Sequence, residues 1–333
     1  MPHQWRSKSI VTSLPSNSVA EACSASSNCV SAVIVNFNAG AYLATAVLSV
    51  LSQGNNVGEV IVVDNDSEDS SLSNLHEIST DPRLRVIKLD ANNGFARACN
   101  IGIEASRGGM VLLLNPDCYM FPGSLEALLA GLGSDPTIAA AGPLLMNSDG
   151  TEQRGGRRDI PNPWQIFCYT IGLHRLMPRH PRFRNFNQMT APLPSGPIAV
   201  PAISGACMLI RRSAIDGIGG FDERYFMHFE DLDWCLRVTQ KSQGIRFVPA
   251  AIVEHTQGVC SAGRPLRVEY YKHRSLIEFL SKNFSQFYPR PFITVVRLLV
   301  NLHLGVQILR TLIGRTKAVD PPRRMARTNA EDL

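Results

Sequence analysis

Asn115-Pro116-Asp117 follows directly on an apolar run at residues 110–114. A carboxylate at such a strand end can hold a divalent metal beside a phosphate. Mg²⁺ or Mn²⁺ takes few protein oxygens and fills its shell with phosphate and water. The same string also serves as a turn or a helix cap. Phe229-Glu230-Asp231-Leu232-Asp233 crowds three carboxylates into four positions at the start of a helical pattern. A carboxylate at a helix N-terminus stays ionised through the dipole and the free amides. That suits a general base which takes a proton from an attacking hydroxyl, and plain helix capping accounts for the string as well. Val253-Glu254-His255 offers an imidazole that either ligates a metal or sits satisfied in a core.

The elements that must position these groups are legible in the hydropathy pattern. Residues 30–35, 59–63, 84–89 and 110–114 are apolar, β-branched runs that read as buried strands. Residues 42–53, 95–106 and 124–132 carry apolar positions at helical spacing, and a further strand is expected at 138–142. Strand–helix alternation predicts parallel βαβ units with helices on both sheet faces. Ligands in such sheets bind beyond the carboxyl ends of the strands. Those ends are all polar: Asn36 and Asn38, then Asp64, Asn65 and Asp66, then Asn92 and Asn93, then Asn115 and Asp117. No G-x-G-x-x-G follows the first strand and no phosphate-loop string is present, which disfavours a dinucleotide oxidoreductase or a P-loop NTPase.

Residues 150–200 change character, with Arg154, Arg157, Arg158, Arg175, Arg179, Arg182 and Arg184 among prolines and aromatics, and read as a long irregular insertion. Order is expected to return at 202–211, followed by a helix from 230 to about 242, a strand at 245–248 and a helix at 270–283. Residues 292–313 are long enough to span a bilayer. Yet Arg297, Asn301, His303, Gln307 and Arg310 fall on one half of the wheel, which fits an interfacial amphipathic helix or a helix docked on the core.

Composition sets the outer limits. With 44% hydrophobic and 18% charged residues, the 333-residue chain is globular rather than disordered. Lys and Arg exceed Asp and Glu by only five, and the segment from Arg290 onward holds eight basic and three acidic residues. The excess therefore sits in the tail, whose Arg315, Lys317, Arg323, Arg324 and Arg327 favour an anionic membrane surface over nucleic acid. None of the 8 cysteines forms a C-x-x-C, so reduced thiols and a cytoplasmic setting are expected. Residues 1–29 lack a compact apolar segment and read as a disordered leader.

Taken in order, the strings VIVNFNAG, VIVVDNDSEDS, NNGFARACNIGI, VLLLNPDC, ISGACMLIRRSAIDGIGGFDERYFMHFEDLDWCLR, VEH and YYKHRS closely resemble the inverting glycosyltransferases of family 2, within them the rhamnosyltransferase-type branch. The resemblance runs over about residues 30–283. It implies an α/β GT-A fold: a Rossmann-like, mostly parallel sheet flanked by helices. Residues 284–333, beyond the resemblance, are expected from their own pattern to form a membrane-associating helical extension and basic tail. The resemblance also implies that Asn36, Asn38, Asp64 and Asn65 hold the nucleobase and ribose of a sugar nucleotide, and that Asn93, Gly94 and Asn100 line the nucleotide pocket. Asp117 matches the last Asp of the D-x-D metal motif, Asn115 replacing the first, and His255 completes the shell of Mg²⁺ or Mn²⁺. Asp231 matches the catalytic base, with Glu230 and Asp233 beside it for acceptor hydroxyls. Gly205 and Ala206 admit a sugar close to the backbone, and Lys272 and Arg274 contact the diphosphate.

The activity so implied is transfer of a sugar, with dTDP-L-rhamnose favoured, to a glycan or polyprenyl-diphosphate-linked acceptor in bacterial surface polysaccharide synthesis, at the inner face of the membrane. A UDP-sugar donor (galactofuranose, glucose or N-acetylglucosamine) would use the same chemistry, since donor choice rests on a few pocket contacts. A nucleotide- or glycan-binding protein without catalysis is the rival from another class, and a nucleotidyltransferase the rival at the level of fold.

Overall fold

The computed structural model describes residues 10–11, 29–173, 188, 192–261 and 263–313. The chain opens with β1 (Ile10–Val11), β2 (Val30–Asn36), α1 (Tyr42–Leu51), β3 (Val57–Asp64), β4 (Leu84–Lys88), α2 (Phe95–Ala105) and β5 (Met110–Leu114). β4, β3, β2 and β5 lie side by side and parallel. β2 and β3 are buried along their whole length, which is why both read as unbroken apolar runs. Alternate residues serve two cores. Val33, Val35, Val63 and Leu113 pack toward α2, while Ala32, Ile34, Val62 and Leu112 pack toward α1. Within the segment expected as a leader, Ile10–Val11 pairs antiparallel with the β4 edge.

The second half contributes β6 (Cys118–Met120), α3 (Ser124–Leu132), β7 (Ile138–Met146), β8 (Arg157–Arg158), α4 (Pro163–Thr170), β9 (Ile198–Ala199), β10 (Ala202–Ile203), β11 (Cys207–Arg211), α5 (Arg212–Ile218), α6 (Glu230–Gln240), β12 (Gly244–His255), α7 (Pro265–Phe284) and α8 (Arg290–Leu312). β11 inserts antiparallel between β5 and β7, and β12 adds parallel to β7. β6 and β9 both pair antiparallel with β12. The sheet is thus parallel through its nucleotide-binding-like half and mixed beyond it.

Two expectations are revised and one is refined. The ordered segment at 202–211 resolves into two strands interrupted at Ser204-Gly205-Ala206, where the Gly205 N–H turns away to Asp231. The segment at 150–200 is not irregular throughout. β8 pairs with β10, and α4 starts with a capping box in which Asn162 and Gln165 satisfy each other's backbone N–H. Arg175, Arg179, Arg182 and Arg184 lie outside the described residues. Cys29 is disulfide-bonded, against the expectation of reduced thiols throughout, whereas Cys99, Cys118, Cys168, Cys207, Cys235 and Cys260 are free.

α8 docks on α7 and α4 through Ile293, Val296 and Val300, all under 8% exposed. His303 also faces inward, its Nδ1 2.9 Å from His273 Nε2, and Gln307 reaches His303. The polar half expected on the wheel is therefore divided: His303 and Gln307 serve the interface, while Arg297, Asn301 and Arg310 are exposed. The outward face carries Val295, Leu298, Leu302, Val306, Leu309 and Ile313, between 39% and 64–67% exposed, in a narrow stripe along the helix. By length and composition Arg290–Thr311 is the one helix among the described residues able to cross a membrane. The basic tail beyond residue 313 lies outside the described residues.

Candidate active site

One cavity of about 760 Å³ opens beyond the carboxyl ends of β2, β3 and β5. That is the size range of small-ligand sites. It brings together Asn65, Gly94, Asp117, Gly205, Ala206, Glu230, Asp231, His255 and Lys272 from the residues expected by resemblance.

Its metal-like corner is built by β5, β6 and β12. Asp117 and His255 are both buried, with Asp117 Oδ1 3.2 Å from His255 Nε2. Gln153 fixes the imidazole. Its Nε2 donates to the His255 carbonyl oxygen at 2.9 Å and to Asn147 Oδ1 at 3.0 Å, so its Oε1 accepts the His255 Nδ1–H at 2.7 Å. This leaves the Nε2 lone pair facing a carboxylate oxygen, two electron donors at the spacing of neighbouring ligands on one cation. Asn115 Nδ2 lies 3.3 Å from the same Nε2, and Asn115 Oδ1 is buried with no hydrogen-bond partner. A carboxylate, an imidazole and an orphaned amide oxygen fit Mg²⁺ or Mn²⁺. Cys118 lies in the same cluster, but its thiol bonds to the Ala206 carbonyl and burial pushes its pKa well up, so it stays a poor ligand for a hard cation.

The acid corner is the start of α6. His228 and Phe229 both take left-handed conformations (φ 64° and 70°) immediately before it. Such strain persists only where surrounding structure holds it, and here it aims Glu230 and Asp231 into the cavity. Asp231 Oδ2 accepts the Gly205 N–H at 2.9 Å and ion-pairs with Arg158 Nη2, while Oδ1 accepts the Leu232 N–H at 2.7 Å. Glu230 is buried, its Oε2 has no partner, and burial with the nearby Asp231 charge raises its pKa to about 8. The pair thus divides its labour: one carboxylate is ion-paired, the other is pushed toward its protonated form.

The other expected residues stand apart from the cavity wall. Asp233 is wholly buried, its Oδ1 accepting Lys282 Nζ at 2.7 Å and Asn283 Nδ2 at 3.1 Å, and its Oδ2 accepting Arg237 Nε at 3.0 Å. No oxygen is left to reach an acceptor. Asn36 Nδ2 donates to Asp64 Oδ1 and to the hydroxyls of Ser67 and Ser71, a buried brace joining the β2 and β3 ends. Asn38 accepts the Glu68 N–H and Asn93 donates to Ala91, both shaping loops, while Asn92 takes the lining place. Asn100 clamps Phe221 from both sides, accepting its N–H and donating to its carbonyl at 2.8 Å each. A Cβ at Gly220 would meet Asn100 Oδ1 at 2.5 Å, so the Gly219-Gly220 pair serves this clamp. Gly94 (φ 88°) admits the Phe226 carbonyl, which accepts the Phe95 N–H at 2.7 Å. Arg274 is exposed on α7 and does not line the cavity.

Gln153 and Arg158 were not expected at the site. One touches the metal-like corner and the other the acid corner, and both come from the segment that looked irregular. The β8–β10 pairing brings Arg158 there, and a bridge from Met146 to Glu152 with the Gln153 N–H on the Leu145 carbonyl places Gln153.

Residues 31–219 match the model of glycosyl transferase family 2. Over 292 residues the chain is 29% identical to an N-acetylglucosaminyl-diphospho-decaprenol L-rhamnosyltransferase of Mycobacterium tuberculosis, covering 83% of this chain and 92% of that protein. An O-antigen biosynthesis protein of Myxococcus xanthus is 28% identical over 58% of this chain and 14% of its own length. Among solved structures, GalNAc-T7 with UDP, GalNAc and Mn²⁺ superposes with a TM-score of 0.54 at 19% identity, over 83% of this chain and 55% of that one. A mannosyltransferase of Pyrobaculum calidifontis with GDP-mannose and Mn²⁺ gives 0.51 at 14% identity, over 87% and 76%. The fold is that of the GT-A glycosyltransferases. The chain belongs to glycosyl transferase family 2 and is a glycosyltransferase with a rhamnosyltransferase-like sequence.

Proposed function

We propose that this enzyme transfers L-rhamnose from dTDP-L-rhamnose, with inversion, to a polyprenyl-diphosphate-linked sugar in surface polysaccharide synthesis. The observation that carries the reading is the meeting of two corners in one cavity: Asp117 with His255, and Glu230 with Asp231. The similarity to a mycobacterial rhamnosyltransferase of closely matching length supports the donor and the lipid-linked acceptor.

Asn65, Asn92 and Gly94 border the part of the cavity nearest the β2–β4 ends, where the nucleoside would lie. Asp117 and His255 would hold a divalent cation, which when bound neutralises the diphosphate as the glycosidic bond breaks. Asp231 takes the proton of the acceptor hydroxyl as that oxygen attacks from the face opposite the leaving group. Arg158 and the Gly205 N–H fix the orientation of that carboxylate. Glu230, protonated, is able to donate a hydrogen bond to an acceptor oxygen. A single displacement inverts the anomeric centre without a covalent enzyme intermediate.

α8 supports an interfacial placement at the inner membrane face. One side is docked on the protein, so the exposed apolar stripe would lie in the lipid surface rather than cross it. Binding of the full chain to anionic vesicles, lost on Leu298→Glu/Leu302→Glu, tests that placement. The donor is tested by a panel of sugar nucleotides with Mn²⁺ or Mg²⁺, read as thermal stabilisation and nucleoside-diphosphate release. Selective response to dTDP-L-rhamnose is expected. Response to a UDP-sugar instead refutes the donor and keeps the chemistry; binding of none refutes catalysis of this kind.

A further inference from the structure

Part of the cavity wall is left unused by the nucleotide reading. It is formed by Arg154, Gly155 and Arg158, then Ile166 and Tyr169 of α4, then Leu276, Val300 and His303 of α7 and α8. The two arginines are held there on one turn. Gly155 between them takes a left-handed conformation (φ 93°), and a Cβ built on it would sit 3.9 Å from Arg158 Nη1, so the Arg158 guanidinium folds back over Gly155, the residue next to Arg154 in the chain. Arg154 Nη2 donates to the Tyr169 hydroxyl at 3.3 Å, and its guanidinium lies 5.9 Å from the Tyr169 ring centre. Among the described residues no carboxylate pairs with Arg154. Arg158 pairs with Asp231 through Nη2 alone, and its Nε is buried without an acceptor. Two guanidinia with spare donors, on an aromatic and apolar wall, are a site for an anionic group attached to something hydrophobic.

We infer that Arg154 and Arg158 bind the diphosphate of the acceptor, a subsite separate from the one that receives the donor diphosphate. This rests on the reading of the acceptor given above. Inverting displacement puts the nucleophile and the leaving group on opposite faces of the reacting carbon. Asp231 marks the nucleophile's side and Arg158 touches it, whereas the leaving diphosphate belongs with Asp117 and His255. In a sugar linked through its anomeric carbon to a lipid diphosphate, one ring separates the attacked hydroxyl from the first phosphate. Arg154, four residues before Arg158, lines the same cavity beyond it. The wall then continues along Val300 and His303 of α8, the helix whose opposite face carries the exposed apolar stripe. Phosphate recognition and lipid contact are thus adjacent on one element.

The test compares kcat/KM for two acceptors, N-acetylglucosaminyl-diphospho-farnesol and octyl N-acetylglucosaminide, in the wild type and in Arg154→Gln. Arg154 is exposed, so the variant is expected to melt with the wild type. Charged hydrogen bonds of this kind are worth about tenfold or more in binding, so the preference for the diphosphate acceptor falls by about that factor in the variant. Arg154→Lys restores part of it. A preference unchanged in Arg154→Gln overturns the inference, as does an equal loss of dTDP affinity, which would assign the arginine to the donor. Equal use of both acceptors by the wild type overturns the inference and leaves the acceptor reading standing. Failure with both acceptors, while dTDP-rhamnose still binds, refutes that reading and this inference with it.

Discussion

Asp233 separates a structural role from a catalytic one. Its carboxylate is 0% exposed and accepts from Lys282, Arg237, Asn283 and the Tyr225 hydroxyl, tying α6 to α7 and to the Gly220–Tyr225 loop. Asp233→Asn keeps the shape and removes the charge that two cations face. Breaking a buried pair from one side costs about 3–5 kcal/mol. Lys282 and Arg237 are each 22% exposed, and Lys282 keeps Asp222 Oδ2 at 2.7 Å, so part of the loss is recovered by water and that second carboxylate. The expected cost is therefore at the low end, about 3 kcal/mol. For a domain of this size that lowers the melting temperature by roughly 6–12 °C. The assay is thermal unfolding of the purified enzyme, paired with kcat measured well below both transitions. Turnover per folded molecule should stay within a few-fold of wild type. An unchanged melting temperature with a hundredfold loss of kcat would refute the reasoning and return Asp233 to the acceptor site.

Three other perturbations probe the cavity. Asp231→Asn should lower kcat by about a hundredfold or more while dTDP binding persists; near-wild-type turnover removes Asp231 as the base. Gln153→Leu frees the His255 ring and should weaken Mn²⁺ binding, read by titration calorimetry, by about 10- to 100-fold; wild-type affinity would show that the carboxamide does not position the imidazole. Glu230 gives a pH signature. Its folded pKa, about 8, lies above its ordinary value of 4.5, so its contribution to stability is fully present below the unfolded pKa and is lost as pH rises toward 8. Between those limits the unfolded chain releases a proton that the folded one keeps, a slope of about 1.4 kcal/mol per pH unit at most. Urea unfolding from pH 5 to 8 should show a decline that Glu230→Gln flattens; parallel curves for the two proteins would sink the assignment.

What the sequence made legible, and what it hid, follows from the range of the interactions. β2, β3 and β5 are buried on both faces, so their patterns are local and strong, and the polar strand ends that follow them are equally plain. Asp117, Glu230 and Asp231 were legible for the same reason: each sits where a regular element starts or stops. Asp233 misled because a run of carboxylates gives no direction. On α6 it is two residues from Asp231, about 200° around the helix, which turns it from the cavity toward Lys282. Arg274 likewise sits two residues from Lys272 on α7 and is carried off the cavity wall. Gln153 and Arg158 carried no signal of their own, because their partners His255 and Asp231 are 102 and 73 residues away. The route between them is nonetheless physical. Gln153 is hydrogen-bonded to the imidazole, Arg158 is ion-paired to the carboxylate, and only four residues of chain separate the two. A shift of that segment when an acceptor enters the cavity beside Arg154 would reach both corners at once. The least readable stretch of the sequence is therefore the one that links the candidate metal ligand to the candidate base.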